Sequence, residues 1–87
     1  MVISGFDWDD DNIRHIERHK FTPDEVEEVF SGVHRLRRGR EKRLIALGRT
    51  FEGRFAFVVF HRLPGGIVRV ITARDMDDSE RRLFRRK

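Results

Sequence analysis

The chain has 87 residues, no cysteine and a net charge of +4. That length makes one small domain, residues 1–87, and the missing cysteines exclude disulfides and thiolate metal sites. The start is neither basic nor a long apolar run, so a signal peptide or membrane span is not expected and a cytoplasmic protein is the default.

The modest net charge hides a division along the chain. Residues 1–30 carry nine acids against three bases, and residues 31–87 carry 16 bases against six acids, giving −6 and +10. Such polarity suits a polyanion or an acidic partner on the C-terminal part.

Residues 2–8 read as a short strand with Phe6 and Trp8 on one face. A helix is predicted from about Asp10 to His19, with Ile13 and Ile16 toward the core. Thr22-Pro23-Asp24-Glu25 starts a second helix: Thr22 as N-cap, Pro23 at the first helical position, Glu25 completing the capping box. Val26, Val29 and Phe30 form its apolar stripe, and Gly32 ends it.

From Val33 the period becomes two. Turn signals at Arg38-Gly39-Arg40, Phe51-Glu52-Gly53 and Leu63-Pro64-Gly65-Gly66 separate four strands, near 33–37, 42–50, 54–62 and 67–73. Short connections predict an antiparallel meander, and the strand Phe55-Ala56-Phe57-Val58-Val59-Phe60, apolar on both faces, should be central and covered on both sides. Asp75 and Asp78 then resemble a helix-start box, with Met76, Leu83 and Phe84 on one face of the terminal helix. The fold class is α+β: two N-terminal helices and a C-terminal helix packed on an antiparallel sheet.

Arg74 falls where this reading ends a strand and begins a helix, near backbone N–H groups that favour anions. Glu80, Arg81, Arg82, Arg85, Arg86 and Lys87 follow it, so the stretch is either a phosphate-holding corner or an amphipathic helix with a solvated charged face. The run Arg35, Arg37, Arg38, Arg40, Lys42 and Arg43, preceded by His34, covers a hairpin. It could follow an RNA backbone or guard a strand edge. His15 and His19 stand four apart, but HIERH places Ile16 where a zinc-protease motif needs glutamate, so no metal or other cofactor is expected. His19, beside Lys20 in the bend between the helices, is either a proton carrier or a cap of the first helix. His61 has no partner that the sequence identifies.

Phe6-Asp7-Trp8-Asp9, Asn12, His19, Glu25, Val29-Phe30, Gly48-Arg49, Ile71-Thr72-Ala73-Arg74 and Glu80-Arg81-Arg82 together, in this order and spacing, resemble the BrnT family of toxins. The resemblance implies a bacterial type II toxin with a RelE-like fold that inhibits translation by cutting RNA. It also implies a BrnA-like ribbon-helix-helix antitoxin, through which alone the complex would reach operator DNA. Family members often have His-Gly at the first bend, where this chain has His19-Lys20. Cleavage without metal needs a base for the 2′-hydroxyl, cations for the phosphate and an acid for the leaving oxygen. Candidates for acid and base are His19, Glu80 and His61; candidates for the clamp are Arg49, Arg74 and Arg81. The charge division fits two other classes, a non-catalytic RNA- or DNA-binding module and a domain that binds an acidic protein segment.

Overall fold

A computed structural model describes residues 1–86; Lys87, the last of the basic run, lies outside the described residues. The elements are β1 (Gly5–Phe6), α1 (Asp10–Glu17), α2 (Pro23–Ser31), β2 (His34–Arg38), β3 (Leu44–Arg49), β4 (Phe55–Leu63), β5 (Ile67–Asp75) and α3 (Asp78–Arg85). They form an α+β fold around one five-stranded sheet of order β1-β5-β4-β3-β2. Strands β2 to β5 pair antiparallel with their chain neighbours. The sheet is nevertheless mixed, because β1 joins the far edge parallel to β5, with Gly5 opposite Ile67 and Phe6 opposite Val68. A parallel neighbour needs a long crossover, and α1, α2 and the meander supply it. The predicted strand over residues 2–8 shrinks to two residues because Asp9 already caps α1. Gly66, with φ +77°, permits the approach: its carbonyl takes the Ser4 N–H at 2.8 Å, and a Cβ there would lie 2.9 Å from Ser4 Oγ.

The helix layer covers one sheet face. Ile16, Phe21, Val26, Val29 and Phe30 pack on Ala46, Ala56, Val58, Phe60, Val68, Val70 and Ala73. Phe30 meets the Phe60 ring edge-on, with centroids 5.1 Å apart. Gly48 brings α2 close: an added Cβ would stand 2.8 Å from Val29 Cγ1. Buried Asn12 fastens α1 to β5, donating to the Asp7 and Val70 carbonyls at 2.8 and 2.9 Å while its Oδ1 accepts from the Asp9 N–H. The Thr22–Glu25 capping box and Pro23 open α2, and Gly32 caps its end with an extended backbone.

Four sequence expectations change. Along β4 only Ala56, Val58 and Phe60 are buried, whereas Phe55, Phe57 and Val59 on the other face are half-covered, because α3 is short and reaches only one end of the sheet. The final helix starts two residues later than predicted: Asp77 is the N-cap and Glu80 completes its box. The β4–β5 ladder accounts for this, since Asp75 still pairs with Ala56 and the Met76 N–H donates to the Phe55 carbonyl at 3.1 Å. Helix α1 ends at Glu17 with Arg18 as C-cap, so His19 lies beyond it and does not share a helical face with His15. Finally, the β2–β3 hairpin turns at Glu41 and Lys42, with φ +55° and +63°, and not at Gly39.

Lys20 also has a left-handed backbone, φ +62°, with its N–H donating to the Glu17 carbonyl at 2.9 Å. That conformation costs a side-chain-bearing residue about 1 kcal/mol relative to glycine. Lys20→Gly is therefore expected to raise the melting temperature by about 4–8 °C for a domain of this size. Thermal unfolding followed by circular dichroism tests it, and an unchanged midpoint would mean the bend relaxes without strain.

Candidate functional site

Arg74 sits inside β5 opposite Phe57 of β4, so strand alternation and not a helix start determines where it points. Its guanidinium lies 3.8 Å over the Phe57 ring. Nη1 and Nη2 donate to Glu80 Oε1 and Oε2 at 2.8 and 2.9 Å, and Nη1 also reaches the Asp75 carbonyl at 3.0 Å. Glu80 has a second task, since its Oε1 accepts the Asp77 N–H that opens α3. The Arg74 hydrogen bonds hold the Glu80 carboxyl below its ordinary value and push the guanidinium above its own. Glu80 is thus ionised at neutral pH, a base rather than an acid in the free protein.

On the other side of β4, Arg49 of β3 lies opposite Phe55. The guanidiniums of Arg49, Arg81 and Arg85 stand 4.9, 5.5 and 5.1 Å from the Phe55 ring centre, and Phe84 meets that ring edge-on at 6.1 Å. Among the described residues none of these three arginines has a carboxylate within salt-bridge distance. Three like charges around one ring repel each other and lower the energy of any anion that enters between them.

His19 reaches this end of the sheet through Arg54. The Arg54 guanidinium donates to the His19 carbonyl at 2.7 Å, to the Lys20 carbonyl at 2.6 Å and to Asp75 Oδ1 at 2.7 Å, and it lies 3.6 Å over the Phe21 ring. Asp75 is held below the ordinary carboxyl value, chiefly by the Arg54 hydrogen bond, with further lowering by the charges of Arg81 and His19. His19 and Arg81 therefore flank Asp75 from different elements. His19, Arg49, Arg74, Glu80 and Arg81 all gather at this end.

The basic hairpin divides. Arg35 joins the cluster, its Nε donating to the Phe84 carbonyl at 3.1 Å, and Arg37, opposite Ile45, shares the same face. Arg38, Arg40, Lys42 and Arg43 lie at the other end, where Arg38 pairs with Leu44 and Leu44 with Phe60. Five residues of β3 separate that end from Arg49, about 17 Å at the rise of a strand. His61 belongs to the distal end too, opposite Arg69. Sequence reasoning did not single out Arg54 or the Phe55–Phe57 floor, and it read Asp75 as a helix start rather than as the partner of Arg54. The apolar β4 run hid the floor, and nothing local to Gly53-Arg54 announces a contact with the bend more than thirty positions earlier. Among the described residues no group of three or more His, Asp or Glu is placed to hold a metal, and no helix is long and apolar enough to cross a membrane.

A family model described as "Ribonuclease toxin, BrnT, of type II toxin-antitoxin system" matches residues 8–80. No curated protein matches the chain.

Two expectations follow from these contacts. Arg54→Ala removes the fork that ties the bend to β5 and should destabilise the fold by about 1–3 kcal/mol. Arg54→Lys should recover only part, because an ammonium cannot serve two carbonyls and a carboxylate in one plane; chemical denaturation of both variants measures this. The second concerns acid. The folded-state value of Glu80 lies below its ordinary 4.5, so its contribution is complete above about pH 4.5 and fades as the pH falls through the depressed value. Glu80→Gln should flatten the loss of stability between neutral pH and pH 3, and an unchanged acid limb would show that the pair contributes nothing.

Proposed function

The chain belongs to the BrnT family of ribonuclease toxins, and from that membership we propose that it cuts RNA at the Phe55–Phe57 end of the sheet without a metal ion. The observation that carries this reading is the convergence of Arg49, Arg81 and Arg85 on Phe55, with the Arg74–Glu80 pair on the adjoining Phe57. A phosphodiester entering among the three arginines is charge-stabilised, and its oxygens compete with Glu80 for Arg74. The carboxylate so released becomes a stronger base and takes the 2′-hydroxyl proton. The 2′-oxygen attacks phosphorus, a cyclic phosphate forms, and the bond to the 5′-oxygen breaks. His19, exposed in the bend beside Asp75, donates the proton to that leaving oxygen.

In the same proposal the fold is RelE-like, RNA loss inhibits translation, and the protein works in the cytoplasm. Arg35 and Arg37 extend the RNA track from the site, and Arg38, Arg40, Lys42 and Arg43 hold phosphates farther along it. A type II system pairs its toxin with a protein antitoxin. We take that antitoxin to be a BrnA-like ribbon-helix-helix protein that lies over the arginine-lined face and is the only route to operator DNA.

Purified protein acting on mixed-sequence RNA in excess EDTA tests the reading. Cleavage should persist, and Arg74→Ala should lower its rate by about a hundredfold, with Arg74→Lys less affected. Both variants should remain folded, since the Arg74 side chain is 38% exposed and its ion pair is partly screened by water. Glu80, 17% exposed, loses a partner in Arg74→Ala, so the melting temperature should fall slightly. Activity lost to EDTA and restored by zinc or manganese would overturn the metal-free mechanism. Full activity in folded Arg74→Ala would remove that residue from the site.

A further inference from the structure

The turn between β3 and β4 carries a side chain that neither the fold nor the proposed chemistry uses. Phe51 is 74% exposed at its tip. It lies in a shallow groove with Val33, Arg49, Gly53 and Phe84, and Val33 is 86% exposed. The turn is rigid. The Gly53 N–H donates to the Thr50 carbonyl and the Thr50 N–H to the Arg54 carbonyl, both at 2.9 Å. The Arg54 N–H donates to Thr50 Oγ1 at 3.0 Å, and Glu28 Oε1 takes the Phe51 N–H at 2.9 Å.

Those bonds hold the ring toward solvent, where it gains no burial energy from folding. Glu28 also lines the groove, but its carboxylate is engaged by the Phe51 backbone. Gly53, at φ +93°, keeps the groove open beside Arg49: an added Cβ would lie 2.9 Å from Arg49 Nη2. A guanidinium and an exposed aromatic ring thus share one groove, next to the arginines around Phe55. A cation for the phosphate beside a flat apolar surface for the base is what binding of unpaired RNA requires.

We propose that Phe51 is the stacking platform for an unpaired RNA base adjoining the phosphate held at Arg49. This rests on the ribonuclease reading and adds a base subsite to it. Stacking is indifferent to base identity, so the platform contributes affinity and register more than sequence choice.

The test is fluorescence anisotropy with two short probes. One is a mixed-sequence 2′-O-methyl RNA, which cannot be cut by its own 2′-oxygen; the other is an abasic phosphodiester of equal length. Phe51→Ala should bind the RNA about tenfold more weakly, within the range of one lost stacking contact. Phe51→Leu should lose nearly as much, because it keeps apolar area but has no ring, and Phe51→Trp should bind at least as well as the parent. On the abasic probe all four proteins should bind alike. Melting temperatures close to that of the parent protein establish that the variants fold.

Leucine binding RNA as well as phenylalanine, or an equal loss on the abasic probe, would overturn the platform. So would variants that bind RNA normally and lose only affinity for the antitoxin, which would make the ring a protein contact. If the parent protein cuts RNA and Phe51→Ala cuts and binds equally well, the platform alone falls. If the parent protein binds neither probe and cuts no RNA, the ribonuclease reading falls with it.

Discussion

The alternation of side chains along β4 governs both halves of the molecule. Ala56, Val58 and Phe60 go into the helix-covered core, and the same backbone sends Phe55, Phe57 and Val59 to the other side. A one-residue slip would exchange the two sets, so the register that buries the core also builds the aromatic floor. Neighbouring strands follow suit. Leu47 and Arg49 of β3 and Arg74 of β5 face the floor because their partners are Phe57, Phe55 and Phe57. Arg49 shares the Phe55 ring with Phe84, Arg81 and Arg85 of α3, and Arg74 covers the Phe57 ring.

Helix α3 depends on the same pair that marks the candidate site. Glu80 accepts the Asp77 N–H as the third residue of a capping box and binds Arg74 with both oxygens. Its charge is therefore stabilised twice, by a helix start and by a guanidinium, which keeps the carboxyl below its ordinary value. In the proposed mechanism, a phosphate that draws Arg74 away leaves the Asp77–Glu80 cap bond in place. The cap bond and the guanidinium bonds are separate contacts of one carboxylate, so the start of α3 does not rest on Arg74 alone.

The acid-rich first third looks different once its contacts are known. Asp9 and Glu25 complete capping boxes, Glu27 accepts the Trp8 indole N–H at 2.8 Å, and Glu28 holds the Phe51 backbone. Asp7 and Asp9 also receive Arg69, at 3.2 and 2.9 Å. Many of these carboxylates are engaged in local or cross-element bonds within the helix layer. On the opposite face Arg74 is paired with Glu80, whereas Arg49, Arg81 and Arg85 have no carboxylate within salt-bridge distance among the described residues.

Legibility in the sequence followed the range of the interaction. The second helix was readable because Thr22, Pro23 and Glu25 act within three positions, and the four meander strands because alternation and turn residues are local. Local reading proposed Arg74 and His19, and the family resemblance added Arg49, Glu80 and Arg81 as candidates, but no local pattern says that they share one end of a sheet. Three things belong to the tertiary structure alone: the parallel docking of β1 on β5, the thinly covered face of β4, and the grip of Arg54 on the bend carrying His19. Each depends on which segments meet across long stretches of chain. An apolar run looks the same whether one face or two will be covered, and an arginine after a turn looks the same whether it ends in water or across two carbonyls. Packing decided those cases, because the burial or solvation of a side chain is set by its neighbours in space.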